Sequence, residues 1–287
     1  MASLSDRLPE NVEGDFYVDA SCIDCETCMW LAPGVFRESD RGQSHVWRQP
    51  EGDAERRRAL LAMIACPTAS IGKRGPTEKD IARAFPVPVD GVDGVLYCGY
   101  ASEDSFGASS WLVTRPGGNL LVDSPRAAGP LLKRLEELGG VRTMFLTHRD
   151  DVADHEKIRA RFGCERLMHA ADARRVGVER AVDGDEPVRI DDDLLLIPTP
   201  GHTAGSACLL WREEVLFTGD HLWGDERGFL GASRSVAWFS WAEQKRSLEK
   251  LLAFRFRAVL PGHGWPWIGS SAAAARDALA TLVRRLS

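Results

Sequence analysis

Two histidines, His148 and His155, and three carboxylates, Asp150, Asp151 and Asp154, fall within eight residues, directly after the apolar run Met144-Phe145-Leu146. Imidazole and carboxylate groups crowded at a strand end suit a metal centre, because burying ionisable groups is costly unless they are paired or coordinated. Three later fragments could complete a ligand shell: Pro200-Gly201-His202-Thr203, Thr218-Gly219-Asp220 and Pro261-Gly262-His263-Gly264. A second constellation lies near the start of the chain. Cys22, Cys25 and Cys28 are each separated by two residues, and Cys66 follows at a distance, directly before Pro67. A loop of this spacing can turn three thiolates toward one iron–sulfur cube while the remote Cys-Pro closes it from the other side. A four-cysteine zinc site, the rival reading, usually brings two Cys-x2-Cys pairs instead.

Composition narrows the classes. A net charge of −6 argues against a general nucleic-acid binder, and the short run Arg56-Arg57-Arg58 beside Asp53 and Glu55 reads as a solvated helix face. Nothing approaches the ~20 continuous apolar residues that span a bilayer. The polar stretch Met1 to Gly14 lacks an export signal, so a cytoplasmic location is expected. Seven cysteines, an odd count without such a signal, speak against a disulfide framework; Cys98, Cys164 and Cys208 read as small buried hydrophobes.

The elements that must position these groups can be traced in order. Phe16-Tyr17-Val18 leads into the cysteine loop, Ser44 to Trp47 reads as a return strand, and Ala54 to Ile64 as a helix with Leu60, Leu61 and Ile64 at helical spacing. The expected division is a cluster domain over 1–74, a proline-bearing linker over 75–89 and a large domain over 90–287. In the large domain Ser110 to Thr114 and Leu120 to Asp123 form a hairpin around Pro116-Gly117-Gly118-Asn119. Gly129 to Leu138 makes a helix, Val141 to Leu146 a strand that delivers His148, and Asp154-His155 the start of the next helix. Strands at 194–197, 207–211, 215–217 and 258–260 alternate with the loops bearing His202, Asp220 and His263. Helices over 241–254 and 271–286, the latter capped by Ser270-Ser271, complete the chain.

Ser21 to Phe36, with Ala65-Cys66-Pro67-Thr68-Ala69-Ser70-Ile71, resembles single-cluster bacterial ferredoxins of the 4Fe–4S type. Ala32-Pro33 stands where two-cluster relatives carry a fourth local cysteine. The resemblance implies one 4Fe–4S cluster held by Cys22, Cys25, Cys28 and Cys66, and a redox partner at this domain.

From about residue 90 onward the chain resembles the metallo-β-lactamase fold superfamily. That family's pattern is Thr-His-x-His-x-Asp-His, then Gly-His-Thr, Thr-Gly-Asp and Gly-His loops, and the last three recur here in order. The resemblance implies the α+β class, a four-layer αββα fold preceded by the small ferredoxin-like α+β domain. It also implies two divalent ions, zinc first and iron or manganese as alternatives. One would be held by His148, Asp150 and His202, the other by Asp154, His155 and His263, with Asp220 bridging. The departure lies in His148-x-Asp150-x-x-x-Asp154-His155: an acid replaces the second histidine, and two residues are inserted before the Asp-His pair. Asp151 could turn inward in place of Asp150. His221 reads as a neighbour of the ligands, His169 as structural, and His45 as surface or packing.

Two ions of this kind polarise a carbonyl or phosphoryl oxygen and lower the pKa of water from ~16 towards ~7. The resemblance therefore implies hydrolysis of a small-molecule thioester, lactone, amide or phosphodiester, with Asp154 orienting or deprotonating the water. A second expectation is redox. Carboxylate is a harder ligand than imidazole and suits iron or manganese, and the family's diiron oxidoreductases carry an acid, a glutamate, at the second-histidine position. A third is a non-catalytic electron carrier or cluster-based sensor.

Overall fold

The protein, described here by a computed structural model, is traced over residues 2–78 and 80–286. Strands Phe16–Val18 and Ile71–Lys73 pair antiparallel, Phe36–Glu38 and Ser44–Val46 form a hairpin, and helices Thr27–Leu31 and Gly52–Ala65 pack beside them. Buried Asn11 ties the two small sheets together, its Oδ1 accepting from Val18 N (2.9 Å) and Val46 N (3.0 Å). The cysteine loop and Cys66 thus sit at the ends of elements that share one core.

The stretch expected to be a linker over 75–89 is only partly one. Val87–Pro88 forms the edge strand of the large sheet, Val87 facing Tyr97 and Pro88 facing Leu96. Proline is tolerated there because an edge strand leaves one row of N–H groups unused. The join is also packed: Trp30 meets Tyr97 edge-on with ring centroids 4.7 Å apart and lies 6.2 Å from Trp111, while Phe85 stands 5.7 Å from Tyr97. Ala101 N donates to Ala65 O across the same seam.

Two sheets form the large domain. One has seven strands in the order Arg180–Val182, Glu165–His169, Thr143–Phe145, Leu120–Val122, Trp111–Val113, Val95–Tyr97, Val87–Pro88. The other has six, in the order Val188–Arg189, Leu194–Pro198, Ala207–Trp211, Val215–Gly219, Ala258–Pro261, Trp267–Ile268. Side chains alternate across a strand, and the alternation displays the layers. Leu209, Phe217 and Leu260 join the core shared with the first sheet. Their neighbours Leu210, Leu216 and Val259 pack with Leu248, Leu251, Leu279 and Leu282 of the outer helices Trp241–Leu251 and Ala272–Leu286. Helices Gly129–Glu137 and His155–Phe162 cover the first sheet through buried Leu131, Leu135 and Ile158. The result is helix, sheet, sheet, helix, an α+β arrangement. Among the described residues no helix is long and apolar enough to cross a membrane.

Candidate metal centre and cluster cradle

Strand Thr143–Phe145 of one sheet, and strands Val215–Gly219 and Ala258–Pro261 of the other, deliver His148, Asp220 and His263 to one place. His202 arrives on the loop between Leu194–Pro198 and Ala207–Trp211. His202 Nε2 lies 3.7 Å from Asp150 Oδ2 and 3.6 Å from Asp220 Oδ2. His148 Nε2 lies 3.7 Å from Asp151 Oδ2 and 3.9 Å from Asp220 Oδ2. His263 Nδ1 meets Asp220 Oδ1 at 2.8 Å and Asp151 Oδ2 at 3.8 Å. Two ligand sets emerge, His148 with Asp150 and His202, and His148 with Asp151 and Asp220; the donor atoms of each lie within 4.8 Å of one another.

Hydrogen bonds around the site fix which ring nitrogens are free. Buried Asp123 accepts from Thr147 N (2.8 Å) and from Thr147 Oγ1 (3.0 Å). With its own proton committed to Asp123, Thr147 Oγ1 accepts from His148 Nδ1 at 3.0 Å, which leaves the His148 Nε2 lone pair bare. His202 Nδ1 donates to Val236 O at 2.5 Å, with the same consequence. Both Nε2 atoms, Asp150 Oδ2 and Asp151 Oδ2 are buried without a hydrogen-bond partner. Lone pairs aimed at carboxylate oxygens repel unless a cation stands among them, so the donor set fits divalent metal.

Charge within the site points the same way. Burial pushes His148 down to about 4, keeping it neutral as a ligand must be. Burial, then the nearby Asp220, pushes Asp151 well above the usual carboxylate range. Burial would also raise Asp220, but His263 and the other two histidines outweigh it and hold Asp220 well below that range. Burial opposes a charge on His263, yet Asp220 and Asp151 raise it to about 10. Gly262 leaves the space: a Cβ there would lie 2.7 Å from Asp151 Oδ2 and 2.9 Å from Asp220 Oδ1.

Not every expected ligand arrives. Asp154 is the residue before helix His155–Phe162, and its carboxylate accepts from Ala127 N (2.8 Å) and pairs with Lys157 Nζ (2.7 Å). His155 is turned under the same helix, its Nδ1 accepting from Arg166 Nη1 at 2.8 Å. The structure does not bring Asp154 or His155 to the centre; Asp151 enters instead, and Asp150 enters with it. His221 is buried near His202, and burial pushes it down to about 3. His169 caps helix Ala170–Val176, Nδ1 accepting from Ala171 N at 3.3 Å. His45 lies half-buried in the hairpin.

One supporting residue escapes sequence reading altogether. Asp172, fully buried, accepts from Thr203 Oγ1 (2.6 Å), Gly205 N (3.2 Å) and Arg149 N (3.1 Å). It ties the loop of Asp150 to the loop of His202. A single aspartate in a short helix carries no signal for this.

Cys22, Cys25, Cys28 and Cys66 line one small cavity with Thr27, Ser44 and Ser70. Burial pushes the Cys25 thiol up to about 11 and Cys28 well above its usual value. Thiolates confined together in such a pocket require metal to stabilise their charge, which is what a cluster provides. Cys25 also borders a second cavity of about 430 Å³, shared with Asp24, Glu26, Phe106, Asp220, Trp238 and His263. The cluster loop therefore forms one side of the opening above the candidate metal ligands.

Residues 104–263, more than half of the chain, match the family model of the metallo-beta-lactamase superfamily. The chain belongs to that superfamily. Residues 18–73 match the model of the 4Fe-4S single cluster domain of Ferredoxin I, so this metallo-β-lactamase-fold protein carries a cluster domain in fusion. Among solved structures, DIM-1 metallo-beta-lactamase exposed to ceftazidime superposes with a TM-score of 0.52 at 18% identity, over 70% of this chain and 99% of that one. VMB-1 superposes at 0.51 and 16%, over 67% and 95%. These likenesses concern the fold alone. The hydroxyacylglutathione hydrolase of Rhodospirillum rubrum is 37% identical over 114 residues, which is 38% of this chain and 44% of that protein. The one from Klebsiella pneumoniae is 30% identical over 124 residues, 42% and 49%. The chain spans about half the length of these curated relatives.

Proposed function

We propose that this metallo-β-lactamase-fold chain is a dinuclear metal-dependent hydrolase of a small carbonyl substrate, a thioester or lactone before a phosphoester. The observation that carries the reading is the convergence of unpartnered imidazole nitrogens and carboxylate oxygens on one buried point. His148, Asp150 and His202 would hold one ion, Asp151 and His263 the other, and Asp220 would bridge. Zinc is the first choice. Bound divalent ions would polarise the carbonyl and lower the pKa of the attacking water. Asp151, a buried carboxylate beside His148 and His263, takes the place the resemblance implied for Asp154 and would orient the water and receive its proton. Phe106 and Trp238, both largely exposed at the rim, cover the substrate and exclude bulk water. The relatives named hydroxyacylglutathione hydrolase support a thioester. The seven free cysteines suit a reducing compartment such as the cytoplasm.

A second reading, a diiron oxidoreductase fed by the cluster domain and its redox partner, draws support from Asp150, a hard oxygen donor where the family has imidazole, and from Cys25 bordering the same cavity as Asp220 and His263. Metal analysis of anaerobically purified protein separates the two. Two zinc ions beside the cluster iron are expected, with turnover of an N-acetylcysteamine thioester that His202→Ala abolishes while the cluster absorbance persists. Two further irons whose spectrum responds to reduction of the cluster, without thioester turnover, would sink the hydrolase reading.

A further inference from the structure

The cavity over the metal ligands has two walls of different origin. Phe106, Trp223, Val236 and Trp238 belong to the large domain and make an apolar side. Asp24, Cys25 and Glu26 come from the cluster loop and make the other. That wall is held in place. Thr27 Oγ1 donates to Gly107 O at 3.2 Å, and Cys25 packs against the bare Cα of Gly107 with no space for a side chain. Asp24 and Glu26 hold left-handed backbone angles, φ 57° and 60°, a conformation that persists only where the surroundings enforce it. Among the described residues no lysine or arginine lines the cavity. Burial, then Asp24 and Glu38, push the Glu26 carboxyl up; His263 draws it down, and Glu226, whose neighbour Arg227 turns to Asp225 at 3.7 Å, adds a smaller push.

We propose that the cluster loop selects the substrate: Asp24 and Glu26, backed by Glu226, face the aromatic wall and favour a substrate whose group beyond the scissile carbonyl is apolar and neutral or cationic. An anionic group there meets the negative charge of the cluster loop, and electrostatic complementarity decides between partners. A cation meets both the acids and the faces of Phe106 and Trp238, a favourable pairing for ammonium groups. The cluster domain then has a steric and electrostatic task at the active site that is independent of electron transfer.

This inference rests on the hydrolase reading for its substrate, so the test has a binding arm that needs no turnover. Three thioethers serve as probes with the cluster- and zinc-loaded protein: S-benzylcysteamine (cationic), N-acetyl-S-benzylcysteamine (neutral) and S-benzylmercaptoacetate (anionic). A carboxylate can also reach the ions, so the quantity read by calorimetry is the change in the anion-to-cation Kd ratio between wild type and variant. Glu26→Gln should shift that ratio toward the anion by about tenfold, and Glu226→Gln, remote from the cysteines, by about threefold. Trp238→Ala should weaken all three probes, and the cationic one most, because only that probe loses the pairing of an ammonium with the ring face. An unchanged ratio in both glutamine variants with cluster absorbance intact overturns the proposal; if Glu26→Gln loses its cluster, an unchanged ratio in Glu226→Gln does so alone. Thioesters bearing the same three groups give the kinetic arm. Probe binding in the expected order without turnover leaves the wall standing and removes the hydrolase; turnover with no charge preference does the reverse.

Discussion

Cys25 and Gly107, eighty-two positions apart, stand so close that a Cβ on the glycine would lie 2.5 Å from the Cys25 Cβ and 2.8 Å from its Sγ. Gly107 also has φ +89°, in the region L side chains rarely adopt. The contact joins Cys25, one of the four cysteines expected to hold the cluster, to the loop that carries Phe106, and any bulk placed there moves one or the other.

Gly107→Ala should destabilise the protein by about 1–3 kcal/mol from backbone strain alone and, by displacing Cys25, speed the loss of cluster absorbance in air. Gly117→Ala is the control: φ is +86° but nothing lies within 4 Å of the added carbon. Thermal melts should show both variants weakened and only Gly107→Ala with a labile cluster. Equal cluster lifetimes would refute the contact's importance.

Asp151 and Asp154 can be told apart directly. Asp151→Asn should reduce bound metal toward one ion per chain, a loss beyond the ~10–100-fold in affinity that residues merely surrounding a ligand give. Asp154→Asn should keep both ions and the hydrogen bond from Ala127 N, and lose only the ion pair with Lys157. Zinc counting by atomic absorption after dialysis decides; depletion in Asp154→Asn would restore the pattern expected from the family motif.

Asp172→Ala leaves Thr203 Oγ1, Gly205 N and Arg149 N without their buried acceptor. Each buried unsatisfied group costs about 1–3 kcal/mol, so urea unfolding of the metal-free protein should shift strongly. Zinc affinity, measured by chelator competition, should fall by ~10–100-fold because the His148 and His202 loops lose their tie. Unaltered affinity would show that the ions alone align these loops.

Glu179 gives a pH dependence away from the centre. It accepts from Arg166 N (2.9 Å), Nε (3.0 Å) and Nη2 (2.9 Å), and chiefly this partner lowers it from 4.5 to about 2. A depressed carboxylate stabilises the fold above its unfolded pKa, and that contribution is lost as pH falls through the folded value. The melting difference between wild type and Glu179→Gln should therefore be full above pH 4.5 and vanish as pH approaches about 2. A gap that persists there would assign the effect to packing.

Much of this was legible beforehand. Helices Gly129–Glu137, Trp241–Leu251 and Ala272–Leu286 follow from their apolar stripes, and Ser271 caps the last by accepting from Ala274 N. His148, His202, Asp220 and His263 each follow a strand or interrupt two, so their types and places could be read together. The stretch from Asp150 to His155 could not. Its outcome depends on where the next helix begins and how that helix rotates. With Ile158 buried beneath the sheet, His155 faces Arg166; with Asp154 just ahead of the first turn, its carboxylate is taken by Ala127 N and Lys157. Asp172 was invisible because its partners lie 23 to 33 positions away in loops with no regular period.

Trp30 bears on how the gene may be cut. Fused domains can often be expressed apart, each with its surface complete. Here a fragment starting at residue 90 would uncover the faces of Tyr97 and Trp111 that Trp30 now covers and would lack the edge strand Val87–Pro88. Exposed aromatic surface beside an open sheet edge invites aggregation. The two parts are a single structural unit, and the large one cannot be trimmed free of the small one without baring this seam.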